Sequence, residues 1–201
     1  MSDDAQGPRE TADPDDTAAP VVVDPRRRRR LLVLLAVVCV LAYAADQVTK
    51  WIALQELADG RVVPVVDGWF SLRLLFNPGA AFSLGEGTTW LFTGVAVVVV
   101  VVIVRTSRRL GSTRWALALG FLLGGALGNL TDRLVREPGF ARGHVIDFLA
   151  YADWFVGNVA DVWIVGAAVA VALLGLLGIG VDGSRERDRH PARAEEDAAR
   201  G

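Results

Sequence analysis

The chain has 201 residues, 52% of them hydrophobic and 22% charged, with a mean hydropathy of +0.37, and its apolar residues gather in long runs that exclude an ordinary soluble domain. Its formal net charge of -2 comes from segregated charges, with acids crowded before Pro25 and arginines clustered beside the apolar runs, so there is no single basic face to bind nucleic acid. One cysteine, Cys39, sits inside an apolar run and excludes both an intramolecular disulfide and a cysteine metal cluster.

Met1 to Pro25 is rich in Asp, Pro, Ala and Thr and holds too little bulky apolar surface to offset its chain entropy. Residues 1–30 are therefore expected to be a disordered acidic tail ending in a basic cluster, Arg26 to Arg30. Four apolar stretches follow, at about 31–54, 88–104, 115–130 and 159–181. Each has the length a helix needs to cross a hydrocarbon core of about 30 Å. The fold class expected is an all-α membrane protein of four transmembrane helices with a small β-element on its outer face, forming one domain over residues 31–181, with residues 182–201 a second disordered tail.

Arginines flank these stretches on one side only: Arg26 to Arg30 before the first, Arg105, Arg108, Arg109 and Arg114 between the second and third, and Arg185, Arg187 and Arg189 after the fourth. By the excess of basic residues on cytoplasmic flanks, both termini are placed in the cytoplasm, and the segments 55–87 and 131–158 outside. Trp51, Trp90 and Trp154 then mark the outer interface and Trp115 the inner one. Arg26 to Arg30, the apolar run and Ala42-Tyr43-Ala44 together mimic a cleavable secretory signal. The run continues through Trp51, Ile52 and Leu54, long enough to span, and an acidic tail precedes it, which favours a retained helix.

In the first outer segment, Val62 to Val66, Asp67-Gly68 and Trp69 to Phe76 read as two strands around a two-residue type I′ turn. Alternation puts Phe70, Leu72, Leu74 and Phe76 on one face, so the ribbon is either a bilayer-surface element or an ordinary hairpin.

Ionisable groups within apolar spans are costly and are functional candidates by default. Here they are Asp46, Lys50, Asp132, Arg133 and Asp161, with Asn129 and Asn158 beside them, all toward the outer ends; Asn77 and Asp147 lie in the adjoining outer segments. Asp46 and Lys50 are one helical turn apart and form either a structural ion pair or a substrate contact. Lys50 is the only lysine among 21 basic residues, which hints at a need for a compact ammonium. Gly120, Gly124 and Gly128 make a small-residue packing seam on the third span. Asp132 and Arg133 are an interfacial pair or, as preferred here, Arg133 organises the site. His144 stands alone, and the sequence has no H-E-x-x-H and no G-x-S-x-G, so zinc and serine hydrolases lack their required residues. Carboxylates remain as the obvious acid and base.

Five ordered elements now stand out: Asp46-Gln47-Val48-Thr49-Lys50, Asn77-Pro78-Gly79-Ala80-Ala81-Phe82, Gly124 to Arg133, Val145-Ile146-Asp147-Phe148, and Asn158-Val159-Ala160-Asp161. Together, from about Leu31 to Val181, they resemble the bacterial lipoprotein signal peptidase, or type II signal peptidase, family. The resemblance implies an aspartic endopeptidase of the bacterial cytoplasmic membrane. It would cut prolipoproteins just before a diacylglyceryl-modified cysteine and need no metal or cofactor. By that resemblance Asp147 and Asp161 are the catalytic pair, Asn77, Asn129, Arg133 and Asn158 line the site, and Asp46, Lys50 and Asp132 support it. The partners implied are the lipid-modified substrate and membrane lipid, with no nucleic acid, and a monomer is expected. Two departures concern the pocket: Gly157 stands where an aromatic is expected, and Val162-Trp163 where a small polar residue is common. A small ion or proton transporter and a non-catalytic scaffold are the rival readings, and an absence of midplane polar groups and internal repeats weighs against the transporter.

Overall fold

A computed structural model describes residues 24–79, 89–152 and 154–185. Expectations for residues 1–23 and 186–201, and for Ala80, Ala81 and Phe82, lie outside the described residues. The order of elements is α1 (Pro25–Glu56), β1 (Val63–Val66), β2 (Phe70–Asn77), α2 (Thr89–Ser107), α3 (Thr113–Val135), β3 (Val145–Tyr151), β4 (Phe155–Gly157) and α4 (Val159–Leu176). The molecule is mostly helical with one small antiparallel sheet, and three of the described helices, α1, α2 and α4, are long and apolar enough to cross a membrane.

α1 starts earlier than its apolar run. Pro25 occupies the first helical turn, where its missing N–H costs nothing, and the Asp24 side chain accepts from the Arg26 N–H at 2.9 Å. Arg26 to Arg30 are thus helical, and the disorder expected through residue 30 does not hold for 25–30. α4 stops at Leu176, short of the expected 181, because Gly178 turns left-handed (φ 63°) and the chain folds back. The returning segment is held against the start of α3: Trp115 Nε1 donates to Ile179 O and Gly111 N to Val181 O, both at 2.9 Å, and Ile179 bridges Arg185. Residues 182–185 thus belong to a folded strap that runs past the expected boundary at 182, and Trp115 is tied to this strap.

α3 packs against each of the other three helices. Its glycine seam permits this: a Cβ on Gly120 would stand 2.9 Å from Val38, and one on Gly124 2.7 Å from both Ala42 Cβ and Cys39 O, so α1 comes to van der Waals distance of the α3 backbone. Gly125, on another side, faces Ala160 and Ile164 of α4. Leu31, Leu35, Ile103, Leu110, Ala116 and Leu119 fill the core at one end of the helices, and Ala53, Leu57 and Phe148 fill a second under the sheet.

The sheet order is β1-β2-β3-β4, antiparallel throughout, so the expected hairpin is the edge of a larger structure whose β3 and β4 come from the segment between α3 and α4. Val66 pairs with Phe70 across a three-residue loop, in which Trp69 N donates to Val66 O at 3.0 Å. Gly68 alone has positive φ there (72°), so the turn is not the expected type I′, which needs it at two successive residues. Between Leu72 and Leu75 the pairing with β3 shifts by one residue. Before this bulge Leu72 opposes Leu149; after it, Leu75 opposes Asp147 and Phe76 opposes Ile146. Directly paired residues share a face, so the expected alternation from Phe70 to Phe76 breaks: Leu72 lies on the Asp147 face and Phe76 on the other. Asn77, two residues beyond Leu75, comes to the Asp147 face for the same reason.

Candidate active site

The C-terminal part of α3, the N-terminus of α4, the C-terminal half of α1 and the centre of β3 converge on one polar cluster. Asp147 is 1% exposed. Its Oδ2 accepts from Asn77 Nδ2 at 2.7 Å, across the bulged β2–β3 pairing, and its Oδ1 from Asn158 Nδ2 at 2.6 Å. Burial is the main force on this carboxyl and pushes its pKa up to about 6; the amide of Asn77 opposes that, the negative charge of Asp161 adds to it, and Asn158 and the Lys50 ammonium oppose it.

Asn158 caps α4 in a capping box: its Oδ1 accepts from Asp161 N at 3.1 Å, and Asp161 Oδ2 accepts from Asn158 N at 3.0 Å. The cap fixes which way the Asn158 amide points, since the oxygen is committed to a backbone N–H and the NH2 must face the other way, toward Asp147. The other Asp161 oxygen, Oδ1, accepts from Asn129 Nδ2 at 3.0 Å. A separate anchor sets that amide. Lys50 has donors and no acceptor, so the oxygen of Asn129 must face Nζ, at 2.9 Å, leaving its NH2 for Asp161. Asn158 Nδ2 also reaches Asn129 Oδ1 at 3.1 Å, and the two anchors agree.

Behind this polar layer lies a charged one. Lys50, wholly buried, pairs with Asp46 Oδ2 at 2.9 Å and Asp132 Oδ2 at 2.7 Å. Asp46 Oδ1 accepts from Ala160 N at 2.9 Å, linking α1 to the first turn of α4, and its Oδ2 from Gln47 Nε2 at 3.0 Å. Asp132 Oδ1 accepts from Arg136 Nε at 2.6 Å and its Oδ2 from Ile146 N at 3.3 Å. Buried on every side, Asp46, Lys50 and Asp132 together tie three helices and a strand. Asp132 pairs with Lys50 and Arg136, leaving its sequence neighbour Arg133 out: adjacent helical residues point about 100° apart, whereas Arg136 is one turn on. Arg133 is 9% exposed, its guanidinium lies 5.5 Å from the centre of the Phe92 ring, and its Nη1 is buried with no hydrogen-bond partner among the described residues.

All nine residues singled out in the sequence thus fall in or directly beside one cluster. Sequence reasoning missed Gln47 and Arg136, although the i,i+4 spacing of Asp132 and Arg136 is a legible signal for the second. It also missed why residue 157 is glycine: a Cβ there would stand 2.8 Å from Asp161 Oδ2 and 2.6 Å from the Phe155 ring.

The sequence profile described as Signal peptidase (SPase) II matches residues 38–177, a stretch that contains every residue of this cluster. The chain belongs to the signal peptidase II family. Lipoprotein signal peptidases of Leifsonia xyli subsp. xyli and Rhodococcus jostii are each 49% identical to it, the first over 76% of this chain and 71% of its own length, the second over 75% and 76%. That of Mycobacterium tuberculosis is 46% identical, over 75% of this chain and 76% of its own. Two structures of a bacterial membrane enzyme obtained by the in meso method share the fold: one has a TM-score of 0.62 at 23% identity over 71% of this chain and 92% of that one, the other 0.60 at 23% over 71% and 87%. As a signal peptidase II the protein is an aspartic peptidase of the bacterial membrane, and the transporter and scaffold readings fall away.

Proposed function

We propose that this signal peptidase cleaves prolipoproteins immediately before a diacylglyceryl-modified cysteine, with Asp147 and Asp161 as its catalytic pair. One observation carries the assignment: a single residue, Asn158, holds both aspartates, its side-chain NH2 donating to the Asp147 carboxylate and its backbone N–H to Asp161 Oδ2, while its side-chain oxygen accepts from the Asp161 backbone N–H in the helix cap. Two carboxyls so close in a low-dielectric site cannot both ionise easily, and they share one proton between them. The raised pKa of Asp147, at about 6, favours that residue as the proton's seat. The ionised Asp161 takes a proton from water as the water oxygen bonds to the scissile carbonyl carbon. Asp147 donates its hydrogen bond to the carbonyl oxygen that becomes negative. As the C–N bond breaks, the amine of the new N-terminal cysteine takes up a proton from the pair, and the signal peptide leaves with a free carboxyl. No covalent intermediate forms.

Arg133 presents a buried donor, Nη1, that has no partner among the described residues, which suits a substrate backbone carbonyl, because at membrane depth peptide groups find little water. We read α3, 23 residues and about 34 Å long, as a fourth span between the three apolar helices. Its polar face is turned inward and its ends carry Arg114 and Arg133. The domain over residues 31–181 then has both termini in the cytoplasm, by the placement of Arg26 to Arg30 and Arg105 to Arg114, and the site near the outer headgroups, where the lipid-modified cysteine keeps its acyl chains in the leaflet. Four spans enclose this site within one chain, as a monomer.

The test is cleavage, followed on a gel, of a diacylglyceryl-modified prolipoprotein by purified wild type, Asp147→Asn and Asp161→Asn in lipid, beside the unmodified precursor. Cleavage by wild type alone, and of the lipidated precursor alone, is expected. Either variant at the wild-type rate removes that aspartate from the pair.

A further inference from the structure

β4 ends in a bare Cα. Phe155 and Gly157 lie two residues apart, on one face of the strand, and the Phe155 ring is folded over the glycine. The point where a Cβ of residue 157 would sit is 2.6 Å from Phe155 Cε1, 2.8 Å from its Cζ and 2.8 Å from Asp161 Oδ2. Only glycine lets ring and carboxylate approach across that point. The ring is not loose: it stacks on Tyr151 at 6.2 Å, and Tyr151 tilts against Phe70 at 5.2 Å, a ladder across β2, β3 and β4 that ends beside Asp161. Phe155 is 50% exposed, so core packing does not account for its place.

We propose that Phe155 is a positioning residue for Asp161, and that Gly157 is glycine to admit it; the proposal rests on the assignment of Asp161 to the catalytic pair. Asp161 Oδ2 accepts from the backbone of Asn158, and the Phe155 ring lies on the other side of the point that a Cβ of residue 157 would occupy beside that oxygen. The edge of an aromatic ring carries partial positive charge, so a ring edge placed near an anionic oxygen attracts it. With Oδ2 held in this way the carboxylate cannot turn about its own axis, and Oδ1, bound by Asn129, stays directed at the site where water is activated. The aromatic missing at 157 and the aromatic ladder arriving through 155 become one arrangement: the ring comes from two residues upstream and lies across the glycine.

The full-length enzyme in lipid nanodiscs, with a fluorogenic diacylglyceryl peptide, gives kcat and KM for Phe155→Ala, Phe155→Tyr, Gly157→Ala and Asp161→Asn, and thermal unfolding of the same samples reports folding. Phe155→Ala is expected to lower kcat roughly tenfold while KM stays within about twofold, the cost of a side chain about one rotamer distortion from its productive pose. Phe155→Tyr, which keeps the ring, restores kcat. Gly157→Ala also lowers kcat, since its methyl displaces the exposed ring and presses on an oxygen that the cap holds in place. A Phe155→Ala enzyme with wild-type kcat, whatever its unfolding temperature, overturns the proposal, and so does a change confined to KM, which would make the ring a wall of the substrate cleft. If Asp161→Asn is inactive and Phe155→Ala is normal, this inference alone fails; if Asp161→Asn keeps the wild-type rate, the catalytic pair fails and this with it.

Discussion

Removal of the Asn77 amide tests whether Asp147 is the member that holds the proton. The carboxyl of Asp147 is pushed up to about 6 by burial, and the 2.7 Å hydrogen bond from Asn77 is the largest influence keeping it from rising further, because the amide stabilises the ionised form. A hydrogen bond to a charged group contributes about 1.5–3 kcal/mol, and each pH unit corresponds to about 1.4 kcal/mol, so Asn77→Leu moves the Asp147 titration upward by about one to two pH units. The sign follows from the mechanism. In the proposed mechanism Asp147 acts as the acid in its protonated form, so activity falls as pH rises through its pKa; a raised pKa carries that basic limb to higher pH. The assay is kcat/KM for a diacylglyceryl peptide between pH 4 and 10 in nanodiscs, which reports the free enzyme. Wild type is expected to lose activity above about 6, and Asn77→Leu to lose it at a pH about one to two units higher, with a lower plateau if Asn77 also touches the substrate. A basic limb that stays in place, or moves to lower pH, refutes the assignment of the proton to Asp147.

Lys50→Met strands two wholly buried carboxylates, Asp46 and Asp132, and is expected to cost about 3–5 kcal/mol of stability, read as a loss of unfolding temperature in detergent. The charge-balanced Asp46→Asn/Lys50→Met pair should lose distinctly less, and an equal loss would mean that pairing is not what Lys50 contributes. Gly124→Leu forces a side chain into a gap closed at 2.7 Å by Ala42 and Cys39 and should destabilise by about 1–3 kcal/mol or more, whereas Gly166→Leu, with nothing within 4 Å of its Cβ position, should be close to neutral. Equal effects at the two glycines would dismiss the α1–α3 seam. Arg133→Lys should lower kcat/KM about 10- to 100-fold, because a point-charge ammonium cannot take the place of the planar donor; a wild-type value would exclude Arg133 from substrate binding.

Much of this molecule is legible in the order of its residues. Long apolar runs must be helices where no water can satisfy the backbone, and Asp46, Lys50, Asp132 and Asp161 betray a site because charge is costly in such runs. Helical spacing, a local property, was enough to pair Asp46 with Lys50 and to align Gly120, Gly124 and Gly128. The ends of the elements were less legible. α1 reaches back to Pro25 through a cap the polar tail concealed, and α4 stops at Leu176 because a strap through Ile179 and Val181 finds partners 64 and more residues upstream. What only the tertiary structure decides is direction. One extra residue in β2 brings Asn77 to the face of Asp147, Asp132 turns to Lys50 and not to its neighbour Arg133, and the buried ammonium and the α4 cap together point the amides of Asn129 and Asn158 at the aspartates. Each of these depends on a partner distant in sequence, and a periodic pattern carries no information about strand register or about which end of an amide faces a donor.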